Sequence, residues 1–258
     1  MANIENDKNI EQNRYNNLSF QKLKSKKNLI DFLGSKAYPH CLQPPYLKYE
    51  FLINEMTKLN KNLFHLDLCC GDGIHSFTSA NRGANVIALD YAENSITIAK
   101  KRAIELGIFV DFKVCDVESL PFNDECFDLV TCIGSLSYLN LEIFLSEVKR
   151  VLKPGGVFIV IDSLNHNIFY KFNRFIRFLK KERSYSTLKR MPTIETLNTI
   201  KSNFSNIDCY YYGIFVFLEP ILKIFLTEIK VEKIISKLDH MFPILNRYAF
   251  KIVFKTIK

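Results

Sequence analysis

The sequence predicts an α/β protein built on a doubly wound, mostly parallel sheet, and three observations carry that reading. Five short apolar runs alternate with amphipathic stretches from Leu63 to Asp162. A diglycine turn, Gly71-Asp72-Gly73, follows the first run, and the first three runs carry acids at or near their ends. Strands are expected at Leu63–Cys69, Val86–Asp90, Phe109–Val114, Phe127–Cys132 and Val157–Asp162. Continuous apolar runs of this kind suit strands covered on both faces, as in parallel sheets. Helices are expected near Ile74–Asn81, Glu93–Leu106 and Leu141–Leu152, the second stopped by Gly107.

The flanks read differently. Residues 1–62 form an N-terminal helical cap: a polar start, a helix-like stretch Leu18–Leu33, breaks at Pro39 and Pro44-Pro45, then a helix Tyr46–Leu59. Residues 63–165 are the sheet core. Residues 166–206 form a basic lid and a helix starting near Thr193. Residues 207–258 hold a strand Ile207–Leu218, a helical insert Pro220–Met241 and a final alternating strand Arg247–Ile257. All four segments are read as one domain.

Composition narrows the class. The chain has 258 residues, 48% hydrophobic and 24% charged, which excludes a disordered, collagenous or disulfide-scaffold protein. The net charge of +8 is local: residues 171–190 hold eight Lys or Arg against the single acid Glu182. The seven cysteines include no C-x-x-C pair, so reduced thiols in a cytoplasmic protein are expected, with no metal site. The polar start is no signal peptide, and no window is long and apolar enough to span a membrane.

The sharpest chemical signal is HLDLCCGDGIHS, residues 65–76. Two glycines let a ligand approach the backbone where a side chain would collide. Asp90 ends the second strand, 19 residues after Gly71, where a carboxylate can accept ribose hydroxyls. Asp116 follows the third strand. Asp67, Asp90 and Asp116 therefore converge on the edge of the sheet where such folds bind ligands. A nicotinamide site is disfavoured by Ser76, which stands where G-x-G-x-x-G requires its last glycine.

LDLCCGDG, ALDYAENSITIAKKRA, CDVESLPFNDECFDLVTCIGSLSYL and EVKRVLKPGGVFIVID together resemble the successive motifs of class I S-adenosylmethionine-dependent methyltransferases. The resemblance covers roughly residues 63–162 and implies a Rossmann-like, seven-stranded sheet with an antiparallel last strand. It implies Asp67, Cys69, Gly71 and Gly73 at the methionine end of S-adenosylmethionine, with His75 near its carboxylate. It puts Asp90 and Tyr91 at the ribose, Asp116 and Val117 at the adenine, Ile133 near the methionine moiety, and Tyr15 over the cofactor from the cap.

The acceptor is expected to be a small anionic molecule. No [DN]-P-P-[YF] follows the fourth strand and no Pro-Cys pair occurs, which argues against nucleic-acid bases. In residues 165–190, Ile168, Phe172, Phe175, Ile176 and Leu179 form an apolar stripe at helical spacing, with Lys171, Arg174, Arg177 and Lys181 beside it. Arg174, Arg177 and Arg183, with Tyr170, are candidates to hold an acceptor phosphate. Contact with a membrane surface is the other reading of this basic stretch. The segment is similar to methyltransferases of bacterial surface-polysaccharide clusters, including those linked to O-methyl phosphoramidate in Campylobacter capsules. That similarity implies a phosphorylated or nucleotide-linked glycan precursor as acceptor. A sugar hydroxyl would need a base, for which His166 and Tyr138 are the candidates, with Asp162 and His40 behind them. A non-catalytic subunit that keeps the cofactor pocket is the third reading.

Overall fold

A computed structural model describes residues 8–17, 19, 33–60, 62–179 and 185–258, with the side chains of residues 177 and 185 outside the description. Residues 8–17 form helix α1. Then follow α2 (Pro44–Leu59), β1 (Phe64–Leu68), α3 (Phe77–Ala80), β2 (Asn85–Asp90), α4 (Glu93–Leu106), β3 (Asp111–Val114), β4 (Phe127–Ile133), α5 (Leu141–Val151) and β5 (Leu152–Ser163). The C-terminal third holds α6 (Ile168–Leu179), α7 (Tyr185–Lys189), α8 (Ile194–Asn203), β6 (Ser205–Tyr212), α9 (Glu219–Leu222), α10 (Glu228–Met241) and β7 (Lys251–Ile257).

The seven strands lie in the order β3-β2-β1-β4-β5-β7-β6. β1 to β5 are mutually parallel, and β7 runs antiparallel to both β5 and β6. The order reverses between β1 and β4, which opens a crevice at their C-terminal ends. Both faces of the sheet are covered. On one side Val130, Cys132, Phe158, Val160, Ile252 and Phe254 pack with Phe144, Leu197 and Ile200 of α5 and α8. On the other, Leu129, Ile159, Ile161 and Val253 meet Tyr46, Tyr49 and Ile53 of α2. Alternate residues of one strand thus serve opposite cores, which is why these runs carry no polar alternation.

Several boundaries move. The expected first helix after the glycine turn shrinks to the four residues of α3, because Gly73–Ser76 is spent on successive tight turns. β6 stops at Tyr212, where Gly213 takes a left-handed φ of 75° and the chain turns away. β7 begins only at Lys251, since Pro243–Tyr248 coils into a 3-10 helix. The N-terminal segment that was expected to be merely polar contains α1, whereas the expected helix Leu18–Leu33 lies almost wholly outside the described residues.

Helix α6 departs most from ordinary packing. Its stripe residues Ile168, Phe172, Phe175 and Leu179 face solvent, while Arg174 is buried on the inner side.

Candidate functional site

The crevice holds two adjoining cavities at the C-terminal ends of β1, β2 and β4. Tyr15, Cys69, Asp90 and Ser135 line both, so they form one cleft.

Asp90 is the anchor of its floor. The Gly71 N–H donates to Oδ2 at 2.7 Å and the Ala92 N–H to Oδ1 at 2.8 Å. Burial pushes its pKa above the usual carboxylate range, while these backbone donors pull it back. Gly71 has a φ of 56°, and a Cβ added there would meet no protein atom within 4 Å. The backbone is therefore bare on the cleft side, as the sequence suggests. Cys69, in the same turn, adopts a left-handed φ of 55°.

Two of the residues expected at the methionine end also have close partners within the chain. Gly73 serves packing: a Cβ there would stand 2.9 Å from the Phe112 ring and 3.0 Å from Ala99 Cβ. The Asp67 carboxylate lines the second cavity but is 2% exposed, and both oxygens are engaged. Ser76 Oγ donates to Oδ2 at 2.6 Å and Thr131 Oγ1 to Oδ1 at 2.8 Å. Burial lifts Asp67 to about 6. The Thr131 hydroxyl, having given its proton to Asp67, accepts from His65 Nε2 at 2.8 Å; Ser79 Oγ then donates to His65 Nδ1 at 2.6 Å. His65 is a core residue whose pKa burial lowers to about 3.

His75 lines the second cavity and is 6% exposed. Its Nε2 pairs with the Tyr38 hydroxyl at 3.0 Å, and its ring is flanked by Tyr46 at 5.2 Å and Tyr49 at 5.8 Å. Burial lowers its pKa to about 3, so the imidazole is neutral. Nδ1 is buried without a partner among the described residues. When Tyr38 donates to Nε2, Nδ1 carries the ring proton and is a donor awaiting an acceptor.

The first cavity is lined by Tyr91, Asp116, Val117 and Tyr138 as well. Ile133 lines the second, and Tyr15 stands between the two. Asp116 does not stand alone. Lys8 Nζ reaches its two oxygens at 3.0 and 2.7 Å and Glu118 Oε2 at 2.8 Å, which pins α1 across the cleft. α1 brings Glu11 and Gln12 to the same wall. Glu11 is 5% exposed; Oε2 accepts from Arg14 at 2.6 Å, and Oε1 is buried with no partner among the described residues. Sequence reasoning missed Lys8, Glu11 and Gln12. The signal was there: Lys8, Glu11, Gln12 and Tyr15 recur at helical spacing and share one face.

The residues expected beyond the cofactor are dispersed. His166 lines neither cavity: its Nε2 accepts the Ile194 N–H at 3.2 Å and so caps the start of α8. Arg174 is 7% exposed and donates to the Leu164 carbonyl and to Asn165 Oδ1, both at 3.2 Å. Tyr170 stacks on Phe250 at 3.5 Å. His166, Arg174 and Tyr170, expected to face an acceptor, line neither cavity, and each makes a contact within the chain. Arg183 and the side chain of Arg177 lie outside the described residues.

The cleft suits an adenosyl sulfonium with a charged tail. It offers a ribose acceptor in Asp90, a bare backbone at Gly71, and two buried, unpartnered polar atoms of opposite kind, His75 Nδ1 and Glu11 Oε1. A sheet of this order with its last strand reversed, holding such a cleft, defines the Rossmann-like fold of class I methyltransferases. Residues 66–160 match the family described as the methyltransferase domain. The cofactor that such a domain uses is S-adenosylmethionine.

Among known proteins, the sterol 4-C-methyltransferase strm-1 of Caenorhabditis elegans is 32% identical over 58% of this chain and 45% of its own length. A ubiquinone biosynthesis O-methyltransferase of Idiomarina loihiensis is 35% identical over 40% of this chain and 43% of its own. The chain thus spans about half the length of the curated relatives it matches. Two solved structures share the fold at a TM-score of 0.56. The [4+2]-cyclase SpnF is 19% identical over 82% of this chain and 80% of its own. The phosphoethanolamine N-methyltransferase 2 of Haemonchus contortus, solved with S-adenosyl-L-methionine, is 16% identical over 82% and 52%.

Proposed function

We propose that this protein transfers the methyl group of S-adenosylmethionine to an oxygen of a small acceptor. The observation that carries the reading is the cleft itself, where Asp90, Gly71 and the orphaned His75 Nδ1 converge on one wall. The cofactor supplies an electrophilic methyl on sulfur, which an electron-rich acceptor atom takes in line. The protein's contribution is positioning, which supplies up to roughly 7–11 kcal/mol in such reactions. Asp90 holds the ribose, with Tyr91 beside it. Asp116 and Val117 stand at the adenine end, where Lys8 neutralises Asp116. The Nδ1–H of His75 holds the carboxylate, and Tyr15 and Ile133 exclude water on either side.

Oxygen as the acceptor atom is supported by the ubiquinone biosynthesis O-methyltransferases among the relatives, and by the missing nucleic-acid motif after β4. The finer reading, a phosphorylated precursor of a surface glycan, has lost Arg174 as its support, and none of the relatives named above carries a glycan name. A sugar-hydroxyl reaction would need a base, and His166 has its Nε2 engaged by the Ile194 N–H.

The test is turnover. Purified protein with S-adenosylmethionine and a panel of phenolic, sugar and phosphorylated acceptors should release S-adenosylhomocysteine with at least one of them. A fold shared with a cyclase does not by itself assign transfer. Tight cofactor binding with no release across the panel would therefore move the assignment to a non-transferring role.

A further inference from the structure

Helix α6 is laid on the protein with Arg174 and the Tyr170 ring inward and its apolar stripe outward. Arg174 is buried against the Leu164 carbonyl, and Tyr170 is stacked on Phe250. Ile168, Phe172, Phe175 and Leu179, spaced by three or four residues, are 72%, 66%, 51% and 63% exposed. A surface helix of a water-soluble protein ordinarily does the reverse. The apolar surface continues onto the insert. Phe169 stacks on Phe217 at 4.4 Å, and the chain runs from there into Ile221, Ile224 and Phe225, which are 59%, 73% and 79% exposed.

The chain around this surface is cationic. Lys171 is exposed on α6 and Lys189 is exposed on α7, and the sequence that follows directly on α6 carries Lys180, Lys181 and Arg183 against Glu182, residues that lie outside the described ones. A second copy of the chain would bring two such basic stretches together, which like-charge repulsion opposes. A partner must offer an apolar interior beneath an anionic face. At 12 residues, α6 is about 18 Å long and cannot cross a bilayer. It has the form of a helix that lies in the interface, with Phe and Leu below the headgroups and cations at the phosphates.

We propose that α6, with the adjoining turn around Phe217–Phe225, docks this protein on the surface of an anionic lipid bilayer. The helix follows the C-terminal end of β5, on the edge where the cleft opens, so docking keeps the cleft at the membrane.

The test is vesicle flotation of the full chain. Phosphatidylcholine vesicles are compared with vesicles containing about one third phosphatidylglycerol, at about 0.1 and 0.5 M salt. Binding should be at least about tenfold tighter to the anionic vesicles and should weaken at the higher salt. The double variant Phe172→Glu, Phe175→Glu should lose at least about tenfold in binding. Its S-adenosylhomocysteine affinity should be unchanged in solution, which shows that it folds and keeps the cofactor reading separate. Lys171→Glu should weaken binding by a smaller factor. The proposal is overturned if the parent floats with neither vesicle, or equally with both. It is also overturned if the double variant floats as well as the parent, or if the only change is from a dimer to a monomer.

Discussion

Asp90 carries two backbone N–H donors on one carboxylate, so the group that is to accept ribose hydroxyls also holds the glycine turn in shape. Asp90→Ala should lower S-adenosylhomocysteine affinity about 10- to 100-fold by calorimetry, matching the roughly 1.5–3 kcal/mol of a charged hydrogen bond. A change below about twofold would remove Asp90 from the cofactor site. His166 shows the opposite relation between signal and role. Lying just past the strand where an acceptor was expected, it reads as a base, yet its lone pair is given to the Ile194 N–H. His166→Ala should leave turnover within about twofold and lower stability by about 1 kcal/mol, the usual cost of a lost helix cap. A loss of several orders of magnitude in turnover, with folding intact, would restore the catalytic role. The sequence could not separate these outcomes, because spacing places a residue near a strand end without saying which way its ring turns.

Among the elements, the turn from β1 to α3 divides its two glycines between different tasks. Gly71 leaves space for a ligand, while Gly73 leaves space for Phe112 and Ala99. Gly73→Ala should cost about 2–4 kcal/mol in denaturant unfolding, from a strained φ of 77° together with overpacking. Gly71→Ala should pay only the backbone strain in stability and should chiefly weaken cofactor binding. Equal stability losses at the two sites would refute this division. α1 is the element that sequence reading passed over. Its polar residues are used in specific pairings, Lys8 with Asp116 and Glu118 and Gln12 with the Tyr91 carbonyl, so it lacks the apolar stripe that announces a helix. α6 has that stripe and was located from it, but the stripe alone could not tell that the face turns outward.

For the whole molecule, two buried neutral histidines should dominate the acid response. His65 and His75 are both lowered from 6.5 to about 3 by burial. The unfolded chain therefore binds protons first, and stability that is complete above pH 6.5 is lost as pH falls towards 3. Between pH 6.5 and 5 each histidine should cost about 2 kcal/mol. Asp67 acts with the opposite sign: raised to about 6, it makes the fold more favourable as pH falls from 6 towards 3.8. Denaturant melts at pH 7, 6 and 5 should show a net decline, and His75→Gln should remove well over half of it, because Asp67 then offsets most of what His65 contributes. A flat profile would mean that these rings reach solvent. The strand positions, the diglycine turn and the placing of Asp90 and Asp116 were legible in the chain itself, because burial on both faces and a bare backbone impose residue types locally. Which titratable groups stand free was decided only by tertiary structure. Lys8 on Asp116, Ile194 on His166 and Leu164 on Arg174 are partners up to about a hundred residues away, and no local pattern encodes such a pairing.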